Sequence, residues 1–194
     1  FFAKDNTRCP ICDESFKREE LFTGRGRLIS KDINSELRRT YDVNPKFGKI
    51  YPLAYPLNVC PNCWFAATPA EFVSIQEETA RLLRDLTEYR KKLIQELFSP
   101  FVIDFYIDRE LKNGCASYIL ALSCYSFFPN NVSPTIKRGI FSLRAAWMFG
   151  DMADEYKTYK DRFYKAQEIF YIKAKDYYSS ALDLMTKNKE RIDG

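Results

Sequence analysis

The stretch Val59-Cys60-Pro61-Asn62-Cys63-Trp64-Phe65-Ala66-Ala67-Thr68-Pro69-Ala70-Glu71 decides the reading of this chain, because two kinds of structure meet inside it. Its first half is a Cys-Pro-x-Cys pattern. Its second half is a helix start, with Thr68 as N-cap, Pro69 at the first helical position and Glu71 placed to close a capping box. The four-residue pattern also stands earlier, as Cys9-Pro10-Ile11-Cys12. Two intervening residues let the backbone turn tightly enough for both sulfurs to face one centre, and Pro after the first Cys pre-sets the dihedral of that turn. Two such knuckles facing each other give tetrahedral sulfur coordination. Cys9, Cys12, Cys60 and Cys63 are therefore the expected ligands of one structural metal ion.

The ligand chemistry narrows the occupant. The chain has no histidine, so the commonest nitrogen ligand and the commonest general base are both missing. An all-thiolate shell suits Zn2+, with iron in a rubredoxin-like site as the lesser occupant. Four Cys close the shell and leave no open position for a catalytic metal. A redox Cys-x-x-Cys is expected at a helix N-terminus in a βαβ unit, which the flanking sequence does not show. Two disulfides in an oxidising compartment are the remaining alternative. Preference for the metal carries a preference for a cytoplasmic over a periplasmic setting. The residue after the second Cys of a knuckle is often a left-handed Gly. Asp13 tolerates that conformation and Trp64 does so poorly, which predicts a looser or differently shaped second knuckle.

Outward from the knuckles the chain divides. Residues 1–67 hold four of the six Cys and short extended patches at residues 27–30, 49–51 and 55–59, interrupted by Pro52 and Pro56. This segment reads as a small zinc-ribbon-like module with little core of its own. Residues 68–194 read as helical. Phe72, Ile75, Leu82, Leu86, Leu93 and Leu97 predict one helical face running to about Phe98. A second helix is expected over roughly Asp108 to Phe128. A third begins at Ser133-Pro134, with Gly150 marking its end, and a last runs from about Ala153 to Lys187, in one or two pieces. Its apolar face takes in Phe163, Ala166, Phe170, Ala174, Tyr178, Ala181 and Leu182. Ala174, Tyr178 and Ala181 set small residues around a large aromatic, as the second helix of a tetratricopeptide repeat does, although no clean period of about 34 residues is visible. The fold class is mainly α: a tetratricopeptide-like helical array, or an ordinary helical bundle, behind a small N-terminal module with four cysteines.

Other features are weaker. With 16 Phe, 13 Tyr and 2 Trp, large rings must share core and groove positions. Tyr156, Tyr159, Tyr164, Tyr171, Tyr177 and Tyr178 crowd the last helix among lysines, either as packing or as a partner groove. Arg25, Arg27, Lys31, Arg38, Arg39, Lys46 and Lys49 either line an anion-binding face or pair locally with Asp32, Glu36 and Asp42. Gly24-Arg25-Gly26 lacks the ending of a phosphate loop. Cys115 and Cys124 read as buried free thiols. The net charge of +4 permits nucleic-acid binding without indicating it. No apolar run approaches the ~20 residues of a membrane helix. The chain begins at Phe1 without an initiator Met, so an upstream segment is expected and compartment stays open.

Together Cys9-Pro10-Ile11-Cys12, Phe16, Arg25, Arg27, Asp32, Tyr55, Val59-Cys60-Pro61-Asn62-Cys63 and Phe65-Ala66-Ala67 resemble the bacterial family catalogued as domain of unknown function 2225. The likeness is tight over residues 9–67 and diffuse over the helices, where the family is similar to tetratricopeptide proteins. The family usually shows Gly-Tyr where this chain has Trp64-Phe65. The resemblance implies a zinc-bound N-terminal module fused to a helical platform, and no known reaction. The expected function is a non-enzymatic scaffold in a bacterial multi-protein assembly, envelope- or motor-associated being one setting. It would bind protein partners through its helices. A nucleic-acid-binding zinc-ribbon regulator is the alternative.

Overall fold

Helix α4, Leu111–Cys124, is the post around which the rest is built in the computed structural model, which describes residues 1–24 and 28–191. Only Lys112 and Ser123 of this helix escape full burial. Small residues make that possible. A Cβ on Gly114 would stand 2.6 Å from the Cα of Ala54, so glycine here is a condition of close approach. The helix starts with a reciprocal cap: Glu110 accepts an amide of the first turn, and its own N–H donates to Asn113 at 3.1 Å. That cap places the start at Leu111, inside the expected span, and a 3-10 turn at Tyr125–Phe127 ends it.

The long helix expected over residues 68–98 is three pieces: α1, Pro69–Val73; α2, Glu77–Asp85; α3, Thr87–Phe98. A buried arginine explains the second break. In a continuous helix the carbonyl of Leu83 would accept the N–H of Thr87. Here it accepts Nη1 of Arg90 at 2.5 Å. The leucine stripe is also out of phase. Leu82 and Leu93 are 44% and 36% exposed, while Leu83, Arg90, Ile94 and Phe98 are buried. A charged residue at a core position broke the apolar period. Thr68 and Pro69 start α1 as expected, but no capping box forms. Glu71 instead takes the hydroxyl of Thr68 at 2.7 Å, the hydroxyl of Tyr125 and the ammonium of Lys137.

Helices α5, Pro134–Glu155, and α6, Lys160–Thr186, form a long antiparallel pair joined by a 3-10 turn. Gly150 does not end α5; it lies within the helix, with the side-chain amide of Gln167 standing where a Cβ would be. Ala153 belongs to α5, and α6 is one piece. Tyr178 packs on Gly139, whose added Cβ would sit 2.8 Å from the ring, so the small partner of this aromatic comes from the opposite helix. Phe163, Phe170, Ala174 and Ala181 are buried, whereas Leu182 is exposed. Glu190 caps the start of α5 through the amide and hydroxyl of Thr135, at 3.2 and 2.7 Å, a contact no local pattern announced.

Among the described residues of 1–67 there are three two-stranded antiparallel ribbons. β1 (Thr7–Arg8) pairs β2 (Ser15–Phe16), β3 (Ser30–Ile33) pairs β4 (Arg39–Tyr41), and β5 (Asn58–Val59) pairs β6 (Ala66–Ala67). The patch at residues 49–51 forms no strand, and Pro52–Ala54 is a 3-10 turn. One hydrophobic core is continuous from Cys9 and Phe65 through Phe72, Tyr118 and Phe149 to Phe170. Among the described residues no helix is long and apolar enough to cross a membrane.

Candidate metal centre

Each knuckle is the tip of one ribbon. Cys9 to Cys12 turns between β1 and β2, and Cys60 to Cys63 turns between β5 and β6. The two turns share one hydrogen-bond pattern. Asp13 N–H donates to the carbonyl of Cys9 at 3.0 Å, and Cys9 N–H to that of Glu14 at 2.8 Å. Trp64 N–H donates to the carbonyl of Cys60 at 2.9 Å, and Cys60 N–H to that of Phe65 at 2.9 Å. Asp13 and Trp64 are both left-handed, with φ of 63° and 56°. The second knuckle is therefore neither looser nor differently shaped, against the expectation drawn from Trp64. The left-handed backbone costs roughly 1–2 kcal/mol. Burial of the Trp64 ring, edge-on to Phe105 at 5.7 Å, offsets it.

The four sulfurs converge. All lie within 4.8 Å of one another, with Cys9 Sγ 3.5 Å from Cys63 Sγ and Cys12 Sγ 3.6 Å from Cys60 Sγ. Tetrahedral bonds of ~2.3 Å to a central ion would set sulfurs about 3.8 Å apart. A disulfide would need about 2.05 Å. All six cysteines are free thiols. Donors aim at the sulfurs as well: the amide of Ile11 reaches Cys9 Sγ at 3.4 Å and the side-chain amide of Asn62 reaches Cys12 Sγ at 3.6 Å. Cys9, Cys60 and Cys63 are buried, and Cys12 is half-buried.

Crowding splits the thiols. Hydrogen bonds from Cys60 and Cys63 hold Cys9 down to about 3. Cys63 is pushed up because it hydrogen-bonds Cys60 and Cys9 and is buried, and Cys60 is pushed up as well. Four sulfurs this close cannot all ionise without a cation between them; a divalent ion would reverse that balance. Cys115 and Cys124 stand apart from the cluster, fully buried, with their thiols raised by burial.

Arginines from the helical side grip the module by its carbonyls. Arg84 Nε reaches the carbonyl of Ile11 at 2.6 Å, between the first pair of cysteines. Arg90 Nη2 reaches that of Cys63 at 3.0 Å. Arg109 Nη1 reaches those of Ala54 and Leu57 at 2.9 and 2.8 Å. None of the three belonged to the expected site. Only Arg90 interrupts a buried helical face; Arg84 is an exposed residue of α2 and Arg109 precedes α4, so neither leaves a local signal.

The described basic residues between the knuckles are mostly exposed and engaged locally, and only Arg38 reaches the helical body. Lys31 pairs with Asp42 at 2.5 Å, and Arg38 pairs with Asp151 on α5 while reaching the carbonyl of Trp147 at 3.3 Å. Glu36 takes the hydroxyl of Tyr171, and Arg39 reaches the carbonyl of Lys31. Lys46 and Lys49 lie over the rings of Phe47 and Tyr51. Arg25 and Arg27, the other two members of that set, lie outside the described residues.

A family model described as an uncharacterized protein conserved in bacteria, DUF2225, matches residues 2–194. An uncharacterized protein of Borreliella burgdorferi is 38% identical over 192 residues, covering 99% of this chain and 67% of the relative. No solved structure matches.

Proposed function

The chain belongs to that DUF2225 family of bacteria, and from this premise we propose that it is a non-enzymatic interaction scaffold whose N-terminal module is knotted by one structural zinc on Cys9, Cys12, Cys60 and Cys63. The convergence of the four sulfurs carries the reading. The sulfur spacing fits a closed tetrahedral shell, and such a shell offers no position for a substrate. Zinc suits an all-thiolate site that needs no redox change.

The ion closes the chain between Cys12 and Cys60 into a loop anchored at its base. Metal coordination contributes on the order of 10 kcal/mol of folding free energy in small zinc modules. The arginine contacts then transmit the fixed geometry of the knuckles to α2, α3 and the start of α4. Partner binding is assigned to the helical side, where α6 leaves Ile169, Ile172 and Leu182 exposed.

Two measurements test the reading. Native protein should hide four thiols from a titrant, and chelation should expose them. Ile172→Glu with Leu182→Glu should abolish capture of partner protein from the native organism while leaving metal content unchanged. Four reactive thiols before chelation contradict the metal. Unchanged capture by the double variant contradicts the assigned surface.

A further inference from the structure

A cleft of about 680 Å³ opens where the N-terminal module meets the start of α4 and the end of α5, and no cysteine lines it. That volume falls in the range of small-ligand sites. Tyr51, Tyr55 and Tyr156 give it ring surfaces, and Glu19, Asp108, Glu110 and Glu155 give it carboxylates. Among the described residues its own cations are Lys49, Arg109 and the terminal ammonium of Phe1, which donates to the carbonyl of Glu20 at 3.0 Å. Four carboxylates against three cations leave a slightly acidic, ring-lined cleft in a chain of net charge +4.

The commitments of these charges decide what the cleft lacks. Arg109 points its guanidinium at the carbonyls of Ala54 and Leu57. Glu110 is paired with Lys112 at 2.7 Å and caps α4. Glu155 accepts the hydroxyl of Tyr51 at 3.1 Å, and Glu19 accepts the amide of Arg109 at 2.7 Å. Among the described residues Glu19, Asp108 and Glu155 form no ion pair with a lysine or arginine. Burial raises the carboxyl of Glu19, against the amide and charge of Arg109 and the terminal ammonium of Phe1, with the charge of Asp108 adding to the rise. An external cation beside it would relieve that cost. Lys49 already holds its ammonium 4.9 Å from the centre of the Tyr51 ring, so the wall takes a cation on its face.

We propose that this cleft binds an organic cation, an ammonium or guanidinium group on a short apolar stem, with the tyrosine rings taking the stem and Glu19 and Glu155 taking the charge. A basic side chain of a protein and a free diamine offer the same group. The site stands independently of the metal and of the helical partner surface.

The test titrates the intact, metal-loaded chain with agmatine and with an end-blocked tripeptide centred on arginine, read by calorimetry and by chemical-shift changes. Saturable binding is expected, weakening about fivefold for each of Glu19→Gln and Glu155→Gln, the size of one partly screened ion pair. Tyr51→Leu should weaken it further than Tyr51→Phe. Agmatine binding as tightly as the tripeptide identifies a small amine as the ligand; preference for the tripeptide identifies a basic protein segment. Glu155→Gln guards against loss of folding, because among the described residues its carboxylate hydrogen-bonds only the Tyr51 hydroxyl. Equal binding of citrulline in place of the cation, no change in either glutamine variant, or no saturable binding overturns the proposal.

Discussion

The guanidinium of Arg90 donates through Nη2 to the carbonyl of Cys63, and through Nη1 to the carbonyl of Leu83, from a site only 1% exposed. One side chain thus terminates the second knuckle and sets the break between α2 and α3. Replacing it leaves two buried carbonyls without donors, at about 1–3 kcal/mol each. Arg90→Met should lower stability by about 2–4 kcal/mol in urea titrations and speed loss of metal to a chelator.

The two left-handed knuckle residues should respond oppositely to glycine. Asp13 is exposed and commits its side chain to an exposed pair with Arg8 at 3.0 Å, so Asp13→Gly should be neutral or slightly stabilising. Trp64→Gly relieves a backbone cost of about 1 kcal/mol but removes a buried ring, worth about 3–5 kcal/mol. A net loss of about 2–4 kcal/mol is expected by chemical denaturation.

Glu71 gives the chain an acid dependence. Burial alone would raise its carboxyl, but Lys137, Tyr125 and Thr68 hydrogen-bond the charged form and hold it below the ordinary value of 4.5. A depressed folded-state value means that the stabilisation is complete above the unfolded value. It is lost as pH falls from there through the folded one. Melting temperature should drop on acidification below about pH 4.5. Glu71→Gln should be less stable at neutral pH and lose that part of the slope.

Gly139→Ala places a methyl 2.8 Å from the ring of Tyr178, between α5 and α6. Overpacking of this kind costs about 1–3 kcal/mol. Tyr178→Leu in the same chain should recover most of the loss, as a double-mutant cycle would read.

Much of this was legible in the chain. The two Cys-Pro-x-Cys patterns located the sulfur cluster, because spacing within a knuckle is a local property that sequence records directly. The helix starts at Pro69 and Pro134 were legible for the same reason. Periodicity predicts one long helix over residues 68–98 and misses the break between α2 and α3 because Arg90 occupies a core position that periodicity assigns to an apolar residue. Local spacing assigns Glu71 to a cap, and its partners Tyr125 and Lys137 leave no local signal because they are distant in sequence. Local pattern marks Gly150 as a helix end, whereas it lies inside α5 against the Gln167 side chain of another helix. The arginine contacts to Ile11 and Cys63 failed to show for the same reason: long-range carbonyl acceptors leave no pattern.

The most direct test of the central claim is elemental analysis of the chain purified without added metal, paired with intact mass. The account predicts one zinc per chain and a mass with every cysteine reduced. A metal-free protein whose mass shows two disulfides among Cys9, Cys12, Cys60 and Cys63 would contradict it.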